Sequence, residues 1–144
     1  MINVSLSKDI LFLKKDIIKI LEEKFKDKNI YLTIKCVSSK KIKELNNKYR
    51  NVDSETDVLS FPIFTKEELD NIVLDEIELG DIFLCMDVIY KNSIEYVTGM
   101  DRELKYMVVH GILHLLGYDH IEDDDKKIMR KKEEEIILKL GDKV

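Results

Sequence analysis

Residues 110–120 read His110-Gly111-Ile112-Leu113-His114-Leu115-Leu116-Gly117-Tyr118-Asp119-His120, and they hold every histidine of the chain. Four residues of α-helix amount to about 40° of rotation and roughly 6 Å of rise, so His110 and His114 project from one face and can grip one ion together. Gly117 follows three residues after His114. A glycine there can take the left-handed conformation that ends a helix and turns the chain back, which lets His120 supply a third ligand. Three imidazoles leave the fourth position of a tetrahedral ion open to water, the arrangement of catalytic rather than structural zinc. The competing account is three ordinary core histidines, each satisfied by its own hydrogen bond. It does not explain why all three fall at ligand spacing astride a helix-ending glycine. The expectation is one zinc ion (Zn2+) per chain on His110, His114 and His120, at the centre of a hydrolytic site.

The spacing H-x3-H-x2-G-x2-H also occurs in metzincin proteases, whose general-base glutamate directly follows the first histidine. Here that position is Gly111. A carboxylate there would take the proton of metal-bound water and pass it to a leaving amine, so its absence removes the main support for peptide hydrolysis. Tyr118 and Asp119, beside His120, can orient a ligand imidazole or handle a proton, and Asp119 can equally be a turn residue.

Outward from this segment, the helix predicted from Asp101 to Leu116 is apolar on nearly every side, as suits an element buried centrally. The acidic run Glu122 to Asp125 faces the positive end of a final helix closing near Leu140 and Gly141. Upstream, Asn3 to Ser5 is a short strand, and Ser7 caps a helix whose apolar residues Ile10, Leu13, Ile17, Ile20, Leu21 and Phe25 recur at helical spacing. Ile30, Leu32, Ile34 and Cys36 alternate with Tyr31, Thr33 and Lys35 as a half-buried strand does. Ser38 or Ser39 starts a second helix reaching about Tyr49. Thr56 to Phe64 is strand-like, with Pro62 pointing to a sheet edge or a strand end. Lys66 to Glu78 reads as a loop with one helical turn, and Leu79 to Cys85 as a strand. Met86, Ile89, Tyr90, Ile94 and Val97 then form a helical face that Gly99 ends.

The chain has 144 residues, the usual size of one domain, and its ordinary apolar and charged fractions exclude disorder. Cys36 and Cys85 lie far apart in apolar runs and read as two buried thiols in a reducing, cytoplasmic setting. Residues 1–7 lack the charged start and apolar run of a signal peptide, and no stretch approaches the length of a membrane span. The net charge of -5 argues against a general nucleic-acid coat, which gains affinity from a basic surface, but leaves room for a local basic groove. Between Lys35 and Arg50 the chain carries Lys35, Lys40, Lys41, Lys43, Lys48 and Arg50 against Glu44 alone. A solvated helix face accounts for the lysines. Arg50 is one of only three arginines and sits at a helix exit, where a guanidinium can hold phosphate oxygens through paired donors.

Asn46-Asn47-Lys48-Tyr49-Arg50, then Thr56-Asp57-Val58-Leu59-Ser60-Phe61-Pro62, then Leu79-Gly80-Asp81-Ile82, then residues 110–120 together resemble the bacterial YbeY family in order and wording across most of the chain. The resemblance implies one domain over residues 1–144, an α+β fold in which a mixed β-sheet is packed with helices, a zincin-like metal-binding helix among them. It implies a single-strand-specific metallo-endoribonuclease that matures the 3' end of small-subunit ribosomal RNA and takes part in ribosome quality control. Its partners would be single-stranded RNA, ribosomal RNA and the ribosome, with ribosomal or assembly proteins beside them and no membrane. By motif position, His110, His114 and His120 carry over as zinc ligands and Arg50 as the residue most associated with activity.

In such a site the ion polarises a phosphoryl oxygen or supplies hydroxide while Arg50 stabilises the charge that builds on the phosphate. The attacking group is that water or the RNA 2'-hydroxyl, and Asp119, Asp57 or the hydroxide itself are the candidate proton acceptors. Two other functions fit the same residues: a ribosome-associated assembly factor with a mainly structural metal, and a hydrolase of small phosphorylated substrates. Nickel, copper or iron can occupy the same three ligands.

Overall fold

The alternation of Ile30, Leu32 and Ile34 with Tyr31, Thr33 and Lys35 lines one side of an extended segment with aliphatic groups, and that segment is the interior of the sheet. In the computed structural model, which describes residues 1–141, it is β2 (Asn29–Val37). Around it lie β1 (Ile2–Leu6), β3 (Val58–Pro62) and β4 (Glu76–Cys85), in the order β1-β2-β4-β3. β1, β2 and β4 run parallel while β3 is antiparallel to β4, so the sheet is mixed. The helices are α1 (Lys14–Lys24), α2 (Ser39–Arg50), α3 (Lys66–Asp70), α4 (Met86–Glu95), α5 (Met100–Leu115) and α6 (Asp123–Lys139). The fold is the expected α+β domain; residues 142–144 of the expected span lie outside the described residues.

Each face of the sheet has its own core. Ile30, Leu32 and Ile34 of β2 and Ile82 and Leu84 of β4 pack with Ile17 and Leu21 of α1, Val108 and Ile112 of α5, and Ile136 of α6. The alternate residues Leu59 and Cys85 point to the opposite face, where Ile42 of α2 covers them. α5 lies against β3 and β4, with α4 and α6 beside it.

Several elements depart from the sequence reading. Ser7 stands at the start of a helical segment as expected, but its hydroxyl makes no cap bond: it accepts the Cys36 N–H at 2.8 Å, tying the end of β1 to β2. A 3-10 segment, Lys8–Leu13, precedes α1 and buries Ile10 and Leu13. β3 is shorter than Thr56 to Phe64, though Pro62 does lie on an edge strand. The helical turn expected within Lys66 to Glu78 is α3, but β4 starts already at Glu76 because Asn29 and Ile30 pair with Glu76 and Ile77. Of the helical face expected after β4, Met86 and Ile89 pack inward, while Tyr90, Ile94 and Val97 are exposed and α4 turns Ser93 inward. The Ser93 hydroxyl stays satisfied by donating to the Tyr90 carbonyl at 2.7 Å. Both thiols are free as expected, with Cys85 buried and Cys36 only half-buried.

The register of β4 slips where Tyr31 faces Glu78 but Leu32 faces Gly80, leaving Leu79 as an extra residue in a bulge. Gly80 has φ 135°, and a Cβ on it would stand 2.2 Å from the Phe61 carbonyl oxygen and 3.1 Å from Leu115 Cδ2. β3 and α5 therefore both press on the space this glycine leaves. Gly80→Ala should lower stability by about 3 kcal/mol, the range of an overpacked and strained site. Urea unfolding of both proteins measures it, and a loss below a few tenths of a kcal/mol would contradict this account.

Candidate metal centre

The last two turns of α5 carry His110 and His114 on one side and the buried Val109, Ile112 and Leu113 on the other. The helix stops at Leu115, and Gly117, at φ 94°, reverses the chain so that the Tyr118 N–H returns to the Leu113 carbonyl at 3.0 Å. A Cβ on Gly117 would meet the Lys66 backbone nitrogen at 2.5 Å, so the start of α3 also rests on this turn. His120 follows on the exposed side of the reversal.

Nδ1 of His114 lies 3.0 Å from the Tyr118 carbonyl oxygen. A carbonyl has no proton to give, so the imidazole must donate from Nδ1 and keep its Nε2 lone pair free. Nδ1 of His110 lies 2.5 Å from Oε1 of the buried Glu133, which fixes the same tautomer. When both rings are neutral in this tautomer, the two Nε2 lone pairs face each other at 3.1 Å. Two lone pairs hold that position well only when a cation lies between them. A tetrahedral ion with bonds of about 2.0–2.1 Å has ligand–ligand edges of about 3.3 Å, close to what this pair presents. One ligand atom from each of the three histidines falls within 4.8 Å of the others. The residues thus fit a metal, with His110 and His114 as the rigid pair and His120 as the exposed arm.

Glu133 was not singled out from the sequence. It lies on α6 among the inward residues Met129, Ile136 and Ile137, so a carboxylate at a core position of an amphipathic helix was the signal for it. Besides His110 it receives the Tyr106 hydroxyl; burial, then the Glu133 charge, raises the Tyr106 pKa. A carboxylate behind a ligand imidazole holds the ring's orientation and raises its basicity.

A groove of about 610 Å³ opens over the histidines, and Arg50, Asn46, Asp57, Ser60, Lys66 and Asp119 line it too. Arg50 is the last residue of α2; Asn51, at φ 57°, ends the helix there. Nη2 of Arg50 donates to the Ser60 carbonyl at 2.7 Å, and its guanidinium carbon stands 5.6 Å from the centre of the Phe61 ring. Asp57 and Ile63 bond inward to β4, through Asp57 O to the Cys85 N–H and the Ile63 N–H to Leu79 O, so the Ser60 carbonyl between them points to the free edge of β3. A peptide pairing with that edge would need this carbonyl, and Arg50 already occupies it. Asn46 is buried and donates to the Ser54 carbonyl at 3.0 Å, closing the loop from α2 to β3. Asp119 accepts the Ile121 N–H at 3.3 Å, so it does act as a turn residue while facing the groove.

A family model described as Endoribonuclease YbeY matches residues 3–141. A Caldicellulosiruptor bescii protein named Endoribonuclease YbeY is 40% identical over 134 residues, which span 90% of this chain and 85% of that one. A Mycoplasmopsis pulmonis protein of the same name is 40% identical over 145 residues, 97% of this chain and 96% of that one. Among solved structures, TM1509 from Thermotoga maritima, determined in solution, is similar with a TM-score of 0.60 and 30% identity, covering 98% of this chain and 92% of that one.

Burial, then the neighbouring His110 and His120, pushes the His114 pKa down to about 4 from the usual 6.5. The folded, metal-free protein therefore keeps His114 neutral while the unfolded chain protonates it near pH 6.5. Between these values the unfolded state binds more protons, so this part of the stability is whole above pH 6.5 and drains away as pH falls towards 4. Urea midpoints of the metal-free protein should drop over that window, and less so in His114→Gln. Separately, Glu133→Ala should weaken metal binding about 10- to 100-fold, read by competition with a chromogenic chelator.

Proposed function

The chain belongs to the YbeY endoribonuclease family, and from that premise we propose that it is a zinc-dependent, single-strand-specific enzyme that trims the 3' end of small-subunit ribosomal RNA. Hydrolysis of RNA follows from the family; the zinc, the strand preference, the ribosomal target and a part in ribosome quality control are this proposal. The observation that carries it is that the Arg50 guanidinium and the three imidazoles share one groove, so a single phosphodiester can meet both. No helix is long and apolar enough to cross a membrane, and we place the work in the cytoplasm, on the ribosome and its assembly proteins.

His110, His114 and His120 would hold the ion, which when bound polarises a phosphoryl oxygen or yields hydroxide near neutral pH. Arg50 directs its remaining donors at the phosphate, since only one N–H is spent on Ser60. Because that anchor fixes the guanidinium before substrate arrives, its charge is already in place when negative charge builds on the phosphate. Glu133 and the Tyr118 carbonyl keep the two imidazoles from rotating. Each of the two groove carboxylates accepts one long hydrogen bond, Asp119 from the Ile121 N–H at 3.3 Å and Asp57 from the Thr56 hydroxyl at 3.4 Å, so either keeps lone pairs with which to take a proton. A purely structural metal is not favoured here, because His120 is exposed and the centre opens into a groove instead of closing a core.

With zinc-loaded protein and a single-stranded oligoribonucleotide, Arg50→Ala should cut kcat about 10²- to 10³-fold, the cost of losing one preorganised transition-state donor. His114→Ala should abolish cleavage while circular dichroism stays native. Cleavage by Arg50→Ala at the wild-type rate would overturn the role of Arg50, and loss of folding in His114→Ala would point to a structural metal. Product ends report the nucleophile: a 2',3'-cyclic phosphate marks attack by the 2'-hydroxyl.

A further inference from the structure

The stretch that the sequence reads as a loop with one helical turn, Lys66 to Glu78, begins with a groove residue. Thr65 and Glu68 form a capping box: the Thr65 hydroxyl accepts the Glu68 N–H at 3.1 Å, and Oε1 of Glu68 accepts the Thr65 N–H at 2.9 Å. The Lys66 backbone between them is held a second time against Gly117, the glycine between the ligands His114 and His120. From this fixed base the Lys66 ammonium reaches over the Tyr118 ring, 4.7 Å from its centre, and lines the groove with Arg50. Lys24, Lys105 and Lys139 each lie against a carboxylate. Lys66 meets only the Tyr118 ring among the described residues, and Arg50 only the Ser60 carbonyl and the Phe61 ring.

Two cations without acidic partners among the described residues therefore line the one groove, Arg50 anchored at Ser60 of the edge strand and Lys66 at the start of α3 over the Tyr118 ring. We propose that Lys66 is a second phosphate-binding group, so that the groove grips two phosphates of one RNA strand, one at the metal and Arg50 and a neighbouring one at Lys66. The subsite rests on the endoribonuclease reading and narrows it. A chain of phosphates is held at two points, while an isolated small phosphodiester is held at one. A cation resting on an aromatic face is partly desolvated and confined, so it offers its charge to an incoming phosphate with less to reorganise.

The test compares wild type with Lys66→Met, which keeps the Cβ packed at Gly117 and removes the charge. In zinc-loaded protein, KM for a single-stranded RNA should rise several-fold more than kcat falls. Anisotropy of labelled RNA on the metal-free protein should lose about 0.7 from the slope of log affinity against log salt, the share of one phosphate on a single strand. Lys66→Arg should restore both. An RNA with one neutral methylphosphonate beside the cleaved linkage should bind wild type more weakly and Lys66→Met no worse than the unmodified strand. Wild-type slope and KM in Lys66→Met, with its thermal midpoint intact, would overturn the subsite alone. A wild-type protein that neither binds nor cleaves RNA would overturn the ribonuclease reading and the subsite with it.

Discussion

The close seat of α5 on the sheet is the constraint from which the site follows. A Cβ at Gly111 would stand 3.0 Å from two atoms of the Ile82 side chain and 3.3 Å from the Ser60 hydroxyl. Gly80 leaves matching space from the strand side, beneath Leu115 and the Phe61 carbonyl. With both side chains absent the helix settles onto β3 and β4, and the Ser60 hydroxyl lies 3.4 Å from the Gly111 carbonyl. His110 and His114 then come to the free edge of β3, where Arg50 arrives from the opposite layer. The same seat explains why a protease's glutamate has no place at position 111: that direction points against Ile82 of the sheet, where even a Cβ is crowded.

Charge is distributed to the same end. The chain as a whole is acidic, at -5, yet Arg50 and Lys66 in the groove have no acidic partner among the described residues. The buried carboxylate of Glu133 stands behind His110 instead of beside it, so its charge supports a cation at the imidazoles without facing an incoming phosphate. Arg50 has a double consequence. Its bond to Ser60 blocks an edge that would otherwise pair with an extended peptide, and its remaining donors suit a phosphate. Both features suit a phosphate-bearing strand better than an extended peptide, beside a helix whose histidine spacing also occurs in metzincin proteases.

Local patterns were legible where one element contained the whole signal. The period-two run of β2, the apolar α5 and the stop at Gly117 are each written within a dozen residues, and the structure has them. The reading failed where a distant partner decided. Glu76 and Ile77 are strand because Asn29 and Ile30 lie beside them, and the Ser7 hydroxyl bonds to Cys36 instead of to the helical segment it precedes because β2 is adjacent. α4 buries Ser93 and exposes Ile94, which hydropathy alone ranks the other way.

By itself the sequence determined that three imidazoles at helical and turn spacing converge, because four residues of helix and one left-handed glycine are local geometry that no distant contact alters. It also marked Arg50 at a helix exit, although only as a cation of the right chemistry. That Arg50 and the histidines face one groove was decided by tertiary structure, since α2 and α5 lie on opposite faces of the sheet and meet only at the edge of β3. The same holds for Glu133, 23 residues beyond His110, and for Lys66, set against Gly117 from another loop. Spacing along a chain specifies which side chains share an element, and packing between elements specifies which of them share a substrate.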